Sequence, residues 1–430
     1  MADCPKILVT GLGAICAAGM DPESVWHRVR SGQSAISPIR QWNASVWPVS
    51  VAGEITEFNA RALVEDRKLH KLLRRTEFLG LYVADRAFAH AGFAAYRDSL
   101  DAAARNAFND RTGVYVGTGG ASFQDQYVFF PLLTAAAGDL GVFGRELAAT
   151  VNPMWLLRTL PNNVLGHIGI RHGLKGPNAC VMNHSTSGTL AVAEAAEALR
   201  AGEAERAVAV GHDAPIEPQT LLYYHRLGLL AADAVRPFDA RRSGSLLGEG
   251  AAALVLETEA AATGREAKIL GEFLGSGCAS EAQGLLSIRR DGEGLAYAIA
   301  VALENAGIRA ADVGMIVAHG NGTRQSDASE ATAIRRVFGP TPPPVTAFKW
   351  AFGHLLAASG ILEAVLALVA LRHGTVPGVA TLRELDPGFA NLPVSAEPQT
   401  PRSDVGLILS RGFGGTNAAL LFRASPSDAG

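Results

Sequence analysis

Short, unbroken apolar runs alternate along the chain with longer stretches in which apolar residues recur every three or four positions. The runs Ile7–Thr10, Val114–Val116, Ala207–Val210 and Ala252–Leu256 are too short for helices and predict strands buried on both faces. Between them, Thr76–Ala91 and Thr189–Ala201 predict helices, the second closed by Gly202 just past its end. A second series follows: a strand near Lys268–Leu274, a helix near Gly294–Ala306 and a strand near Val313–Val317. Helices near Ala328–Phe338 and Gly360–Arg372 come next, then a strand pair at Gly406–Leu409 and Ala418–Phe422. This alternation predicts an α/β protein in packed layers. It divides into two αβ halves, 1–257 and 258–430, with no direct sequence repeat between them. The stretch Pro340–Pro344 predicts a surface connection, and no low-complexity linker separates the halves, so they pack as one body.

Composition narrows the function classes. The 430 residues are 48% hydrophobic, which excludes intrinsic disorder. With 38 basic against 41 acidic residues, there is no cationic excess to neutralise a nucleic acid. The longest apolar runs, such as Ala364–Leu371, fall far short of the roughly 20 residues of a bilayer span. The four cysteines, at 4, 16, 180 and 278, make neither a disulfide framework nor a zinc motif. A soluble, cytoplasmic protein is expected.

Several glycine motifs invite nucleotide readings that their spacing does not support. Gly11-Leu-Gly13 lacks a third glycine in step and an acidic residue about 20 positions on, and predicts a tight strand-to-helix turn. Gly117-Thr-Gly-Gly120 lacks the Gly-Lys-Ser/Thr ending of a phosphate loop and predicts another turn. Ser185-Thr-Ser187-Gly188 does not fit the Gly-x-Ser-x-Gly of ordinary hydrolases.

Chemistry concentrates in three segments. Asn183-His-Ser185-Thr-Ser187-Gly188 lies between a strand at Ala179–Met182 and the helix that starts near Thr189, where the helix N-terminus favours developing negative charge. Ser185 or Ser187 could equally be a helix cap there. His319-Gly-Asn321-Gly-Thr323 follows a strand, with Asp327 and Glu330 shortly after. Lys349-Trp-Ala-Phe-Gly-His354 opens a small-residue helix at Leu355–Gly360. Two histidines at glycine-flanked junctions can both project into one site.

These segments, with Val9-Thr-Gly-Leu-Gly13, Gly113–Gly119, Leu160-Pro-Asn-Asn163, Gly173–Asn178, Arg236-Pro-Phe-Asp239, Gly248-Glu-Gly250 and Gly412-Phe-Gly-Gly-Thr-Asn417, make the chain resemble the β-ketoacyl-acyl-carrier-protein synthases end to end. The resemblance implies a thiolase fold, two αβαβα halves in a five-layered body. It also implies a condensing enzyme that acylates a cysteine, decarboxylates a malonyl-carrier protein and joins the two. The implied site comprises Ser185, His319, His354 and Lys349, supported or gated by Phe413, Gly412, Gly414, Glu363, Asn321 and Thr323. It calls for no metal or organic cofactor, since the phosphopantetheine arm would arrive on the partner, an acyl carrier protein.

The chain departs from the family pattern at the centre of the site. Ser185 occupies the position of the nucleophilic cysteine and His184 that of the small residue before it. Asn321 follows the His-Gly where the family has Thr, Arg411 stands two positions before the gate Phe413, and Ser245 replaces a phenylalanine. A helix terminus and cationic neighbours can bring a cysteine from about 8.5 into roughly the 3.5–7.5 range. The dipole contributes at most about 2 kcal/mol, which is far too little to ionise a serine hydroxyl. Ser185 therefore needs a general base. The resemblance offers His319 and His354, whereas His184 should point away, because successive residues at a helix start diverge. Decarboxylation instead asks the histidines for N–H donors to the thioester oxygen.

Three readings stay open: an acyltransferase using Ser185, a chain-length-factor-like subunit partnering an active synthase, and an ordinary synthase carrying an engineered Cys-to-Ser change. A homodimer or a heterodimer with another ketosynthase subunit is implied, and Arg74, Arg75 and Arg206 are candidates for receiving the acidic carrier. The segment Gln126–Val151, with Tyr127, Phe129, Phe130 and Phe143, resembles the region that lines the acyl pocket and the dimer contact.

Overall fold

The computed structural model describes residues 5–119 and 124–426. Ten strands form one sheet: β1 (Ile7–Cys16), β2 (Thr112–Thr118), β3 (Asn178–Val181), β4 (Arg206–Asp213), β5 (Gly250–Thr258), β6 (Gly271–Ser280), β7 (Met315–Val317), β8 (Val345–Thr346), β9 (Val405–Gly412) and β10 (Thr416–Ala424). Their order across the sheet is β3-β2-β4-β5-β1-β6-β10-β9-β7-β8. Counted outward from the centre, each half therefore runs first, fifth, fourth, second, third. The directions repeat as well: β2 is parallel to β3 and β4 as β7 is to β8 and β9, and the remaining pairs within each half are antiparallel. The halves join where β1 pairs with β6, through Ile7↔Phe273, Leu8↔Glu272 and Val9↔Gly271.

Five helices complete the layers: α1 (Arg75–His90), α2 (Ser187–Arg200), α3 (Glu293–Ala306), α4 (Arg324–Phe338) and α5 (Ser359–Arg372). α1 covers the outside of the first half, while α3, with α4 against it, covers the outside of the second. α2 and α5 lie between and touch strands of both halves. Their sequences say why. Ser359 to Leu371 is buried on every side, as expected of a helix apolar all round, whereas α1 keeps a polar edge. The result is the five-layered thiolase arrangement.

The predicted elements lie at the observed places, most of them a few residues longer. The glycine motifs behave differently from expectation. Gly11 and Gly13 sit inside β1, not in a turn, and a Cβ there would overlap the carbonyl oxygens of Ala87 and Val83 on α1. Gly275 and Gly277 of β6 meet α3 in the same way, at Ala302 and Ala298. Gly117 likewise lies in β2 against Ser187, and Gly120 falls outside the described residues. Leu355–Gly360 is not a helix of its own: Leu356–Ala358 is a single 3₁₀ turn leading into α5. Only the start of Pro340–Pro344 is at the surface, since Pro342 to Pro344 are buried where the chain enters β8.

Candidate active site

The turn before each central helix is built alike. His184–Thr186 forms a 3₁₀ turn before α2, as Leu356–Ala358 does before α5. Ser187 Oγ accepts from Asn183 N–H (2.8 Å), and Ser359 Oγ accepts from Leu355 N–H (3.0 Å). His184 and Leu356, at matching positions, both have positive φ, 49° and 44°. Neither Ser185 nor Ser187 caps α2: the Ser187 hydroxyl is used within the turn, also donating to His184 O (2.7 Å). Ser185 is buried in the turn, and its carbonyl accepts from Ser410 Oγ of β9 at 3.2 Å.

A cavity of about 460 Å³ opens in front of Ser185. His184, His319, His354, Arg411, Phe413 and Tyr224 line it, and Gly412, Asn321, Thr323 and Ser245 also contribute. The structure thus gathers three distant segments at one place. Lys349 and Glu363 stand behind the lining, fully buried, and Gly414 is not part of it. Lys349 Nζ donates to His319 O and to Glu363 Oε1, both at 2.6 Å, so the ion pair fixes the backbone that carries His319. Glu330, on α4, accepts from the N–H groups of His319 (2.7 Å) and Gly320 (2.9 Å) and ties the same loop from the other side. Asn321 and Thr323 bond to each other through Asn321 Oδ1, a local turn.

The protonation of the two distant histidines follows from their partners. His319 Nδ1 accepts from Arg411 N–H (3.3 Å), and His354 Nδ1 accepts from Leu356 N–H (3.2 Å) while bonding Ser359 Oγ (2.9 Å). A ring nitrogen that accepts a backbone N–H carries no proton, so each neutral ring bears its proton on Nε2. Burial, reinforced by the ammonium of Lys349, holds both well below the usual histidine range. The rings meet edge to face with centroids 5.1 Å apart. Both are therefore neutral Nε2–H donors beside the cavity.

His184 departs most from expectation. Its Nδ1 lies 2.8 Å from Ser185 Oγ and its Nε2 2.6 Å from Tyr224 Oη. The ring stacks on Phe413 (4.5 Å, 27°), and Tyr224 also lies against Phe413 at 5.7 Å. The left-handed backbone at His184 breaks the helical succession on which the divergence argument rested. Burial brings its pKa down to about 4. No sequence signal marks Tyr224, which sits among polar and aromatic neighbours on the helix Pro218–Arg226.

Arg411 does not charge the gate. It is buried, donating to Glu281 Oε1 (2.7 Å), Asn417 Oδ1 (2.9 Å) and Ser326 O (3.1 Å). The candidate carrier contacts fail similarly. Arg74 pairs with Glu77, Arg75 with Glu249 at 2.6 Å and Arg206 with Glu257 at 3.4 Å, so all three belong to internal ion pairs. Tyr127, Phe129, Phe130 and Phe143 do not line this cavity; Tyr127 packs on Phe130 and Phe129 on Trp155. Among the described residues no helix is long and apolar enough to cross a membrane.

The family described as "Beta-ketoacyl synthase, N-terminal domain" matches residues 5–262, and "Beta-ketoacyl synthase, C-terminal domain" matches residues 270–383. Nodulation protein E of Rhizobium sp. (strain N33) is 32% identical over 423 residues, covering 97% of this chain and 99% of the relative. The 3-oxoacyl-[acyl-carrier-protein] synthase 2 of Staphylococcus aureus (strain COL) is 28% identical over 430 residues, 98% of this chain and 99% of its own. Among solved structures, the ishigamide ketosynthase/chain length factor superposes with a TM-score of 0.88 at 27% identity, covering 98% of this chain and 100% of the other. The layered fold, the glycine-flanked histidines and these end-to-end matches together place the chain in the beta-ketoacyl synthase family of condensing enzymes.

Proposed function

We propose that this protein is a ketosynthase-family acyltransferase of fatty-acid or polyketide assembly. It accepts an acyl group from an acyl carrier protein on Ser185 and promotes malonyl decarboxylation with His319 and His354. The observation that carries this reading is the shared cavity, where Ser185 faces two imidazoles whose partners leave Nε2–H as the exposed donor. In decarboxylation the C–C bond to the carboxylate breaks, CO₂ leaves, and the electron pair moves onto the thioester oxygen as an enolate. Two N–H donors aimed at that oxygen are each worth roughly 10²–10³ in rate. They need not gain or lose a proton to act.

Lys349 and Glu363 position His319, and Phe413 gates the approach of the acyl chain. In the acylation step the backbone N–H groups of Ser185 and Phe413 serve as an oxyanion hole. The phosphopantetheine arm comes on the carrier; the exposed Arg324 at the cavity supplies a cation for its phosphate. The partner subunit, a second copy or another ketosynthase, covers the exposed apolar side chains Phe130, Leu133, Leu140, Met154, Leu156 and Leu157.

A chain-length-factor-like role is the second reading, supported by the likeness to the ishigamide ketosynthase/chain length factor. Intact-mass spectrometry after incubation with a panel of acyl-carrier proteins separates the two. An acyl-sized gain that is absent in Ser185→Ala is the expected result. No adduct with any donor would overturn the acyltransferase reading in favour of the partner subunit, or of a synthase disabled by an engineered serine.

A further inference from the structure

We propose that His184, and neither His319 nor His354, is the general base that activates Ser185, so that adjacent residues form a His–Ser dyad held in place by Tyr224. The proposal rests on the reading of Ser185 as an acyl acceptor, and its test is arranged to separate the two.

A base for Ser185 needs an unprotonated nitrogen within reach of Oγ. His319 and His354 commit Nδ1 to the N–H groups of Arg411 and Leu356 and carry their protons on Nε2, so neither neutral ring offers a lone pair to the cavity. Among the described residues, no hydrogen bond joins Ser185 Oγ to either of them. His184 Nδ1 lies 2.8 Å from Ser185 Oγ. With the proton on Nε2, His184 donates to Tyr224 Oη at 2.6 Å, and Nδ1 accepts from the serine hydroxyl.

The backbone makes adjacency workable. At φ 49° the chain reverses its helical sense at His184, turning the imidazole toward the side of the next residue. Leu356, the matching residue before α5, has φ 44°, so this conformation belongs to the repeated turn and not to the histidine. What is particular to the first turn is the residue placed there, the aromatic wall of Phe413 and Tyr224, and the cavity beyond. The ring is stacked 4.5 Å from Phe413 and bonded at both nitrogens, so its orientation is fixed.

The step balances within the groups present. As Ser185 Oγ attacks the thioester carbon, its proton passes to His184 Nδ1. The Oγ–C bond forms and the C–S bond breaks. The departing phosphopantetheine sulfur takes the proton from His184, leaving an acyl-serine ester and a free thiol. The histidine is neutral again for the next acceptor. His319 and His354 keep their Nε2–H throughout, so acylation does not compete with decarboxylation for the same imidazoles.

The test uses a biotin-tagged ethyl fluorophosphonate, which phosphonylates base-activated serines without a carrier protein: the Oγ–P bond forms, fluoride leaves and the proton goes to His184. The full-length protein should be labelled at Ser185, confirmed by peptide mass, and His184→Gln should slow labelling at least 100-fold, well beyond the effect of His354→Asn. At a helix N-terminus a thiol, unlike a hydroxyl, can ionise near neutrality without a general base. In a Ser185→Cys background, His184→Gln should therefore change thiol alkylation by iodoacetamide less than threefold. Absence of label at Ser185, equal or greater loss in His354→Asn, or the same loss in the cysteine background would each overturn the proposal. The last of these would leave His184 a structural residue. Labelling without acylation by any carrier would sink the acyltransferase reading while supporting the dyad.

Discussion

Replacing Lys349 with methionine tests how the catalytic loop is held. Lys349 and Glu363 are both fully buried, and the ammonium has two partners, the Glu363 carboxylate and the His319 carbonyl. Burial pushes Glu363 up from its ordinary 4.5 to about 7 even with the Lys349 ammonium beside it drawing it down. With the cation gone, the carboxyl must fold in its neutral form, whereas in the unfolded chain it still ionises at its ordinary value. The group then binds more protons folded than unfolded, so the cost rises with pH, by about 1.36 kcal/mol per unit. Relative to the natural chain, whose own carboxyl stays neutral until about pH 7, the added cost is close to zero at pH 5.5 and at most about 2 kcal/mol at pH 8.5. To this is added a pH-independent loss of about 1–3 kcal/mol for the orphaned His319 carbonyl. At about 2.1 cal/mol/K per residue, the 430 residues give an unfolding entropy of about 0.9 kcal/mol/K. Scanning calorimetry should therefore show the Tm deficit of Lys349→Met growing by up to about 2 °C from pH 7.0 to pH 8.5. Adding Glu363→Leu should remove that growth, since no carboxyl remains to be protonated. It should not restore malonyl decarboxylation, since displacement of a catalytic group by about 1 Å can cost about a hundredfold in rate. A deficit equal at both pH values, or undiminished in the double variant, would refute the reasoning.

Three other outcomes are expected. Malonyl decarboxylation should stay within about twofold from pH 8 to pH 5.5, because burial and Lys349 hold His319 and His354 neutral well below the usual range; an inflection near about 6.5 in the rate profile would contradict it. Arg411→Met should lower stability by about 3–5 kcal/mol, read from the denaturant midpoint, because Glu281 is left buried without its cation, and Glu281→Gln in the same chain should recover part of the loss. Gly13→Ala should cost at least about 1–3 kcal/mol by the same measurement as the methyl meets the Val83 carbonyl. Gly144→Ala, in a helix with open space around it, should leave stability equal or higher; similar losses for both glycines would remove close packing as the cause.

The central strands and the last helix were legible because they are apolar on every face: the run Ala252–Leu256 and the helix Ser359–Arg372 announce burial without any knowledge of partners. The internal two-fold was harder to see, since it survives in backbone contacts more than in side chains. Gly11 and Gly13 against α1 answer Gly275 and Gly277 against α3, and the Ser-Gly pairs at Ser187 and Ser359 open both central helices. These are two-residue matches, too brief to register as a repeat. Ser185, His319 and His354 could be found because glycine-flanked junctions confine where such side chains point. His184 looks out of reach of Ser185 in the sequence because its left-handed φ is a property of the turn, invisible from residue types alone. In the sequence Arg75 looks available to an acidic carrier because its partner, Glu249, lies 174 positions away.

The turn at Leu356–Ala358 shows that the backbone alone does not make a reactive centre. It repeats the shape of His184–Thr186 before the other central helix, with Ala357 in the position of Ser185. There Leu356 is packed among Ile216, Leu221 and Leu247, and Ala357 gives its N–H to the Asp213 carboxylate at 3.3 Å. The cavity does not extend to Ala357, which is wholly enclosed. The fold thus contains two sockets of one design, one serving as a joint that locks the halves and the other facing a chamber. A hydroxyl introduced at 357 would have nowhere to receive a substrate, so what distinguishes the two sockets is the space in front of them.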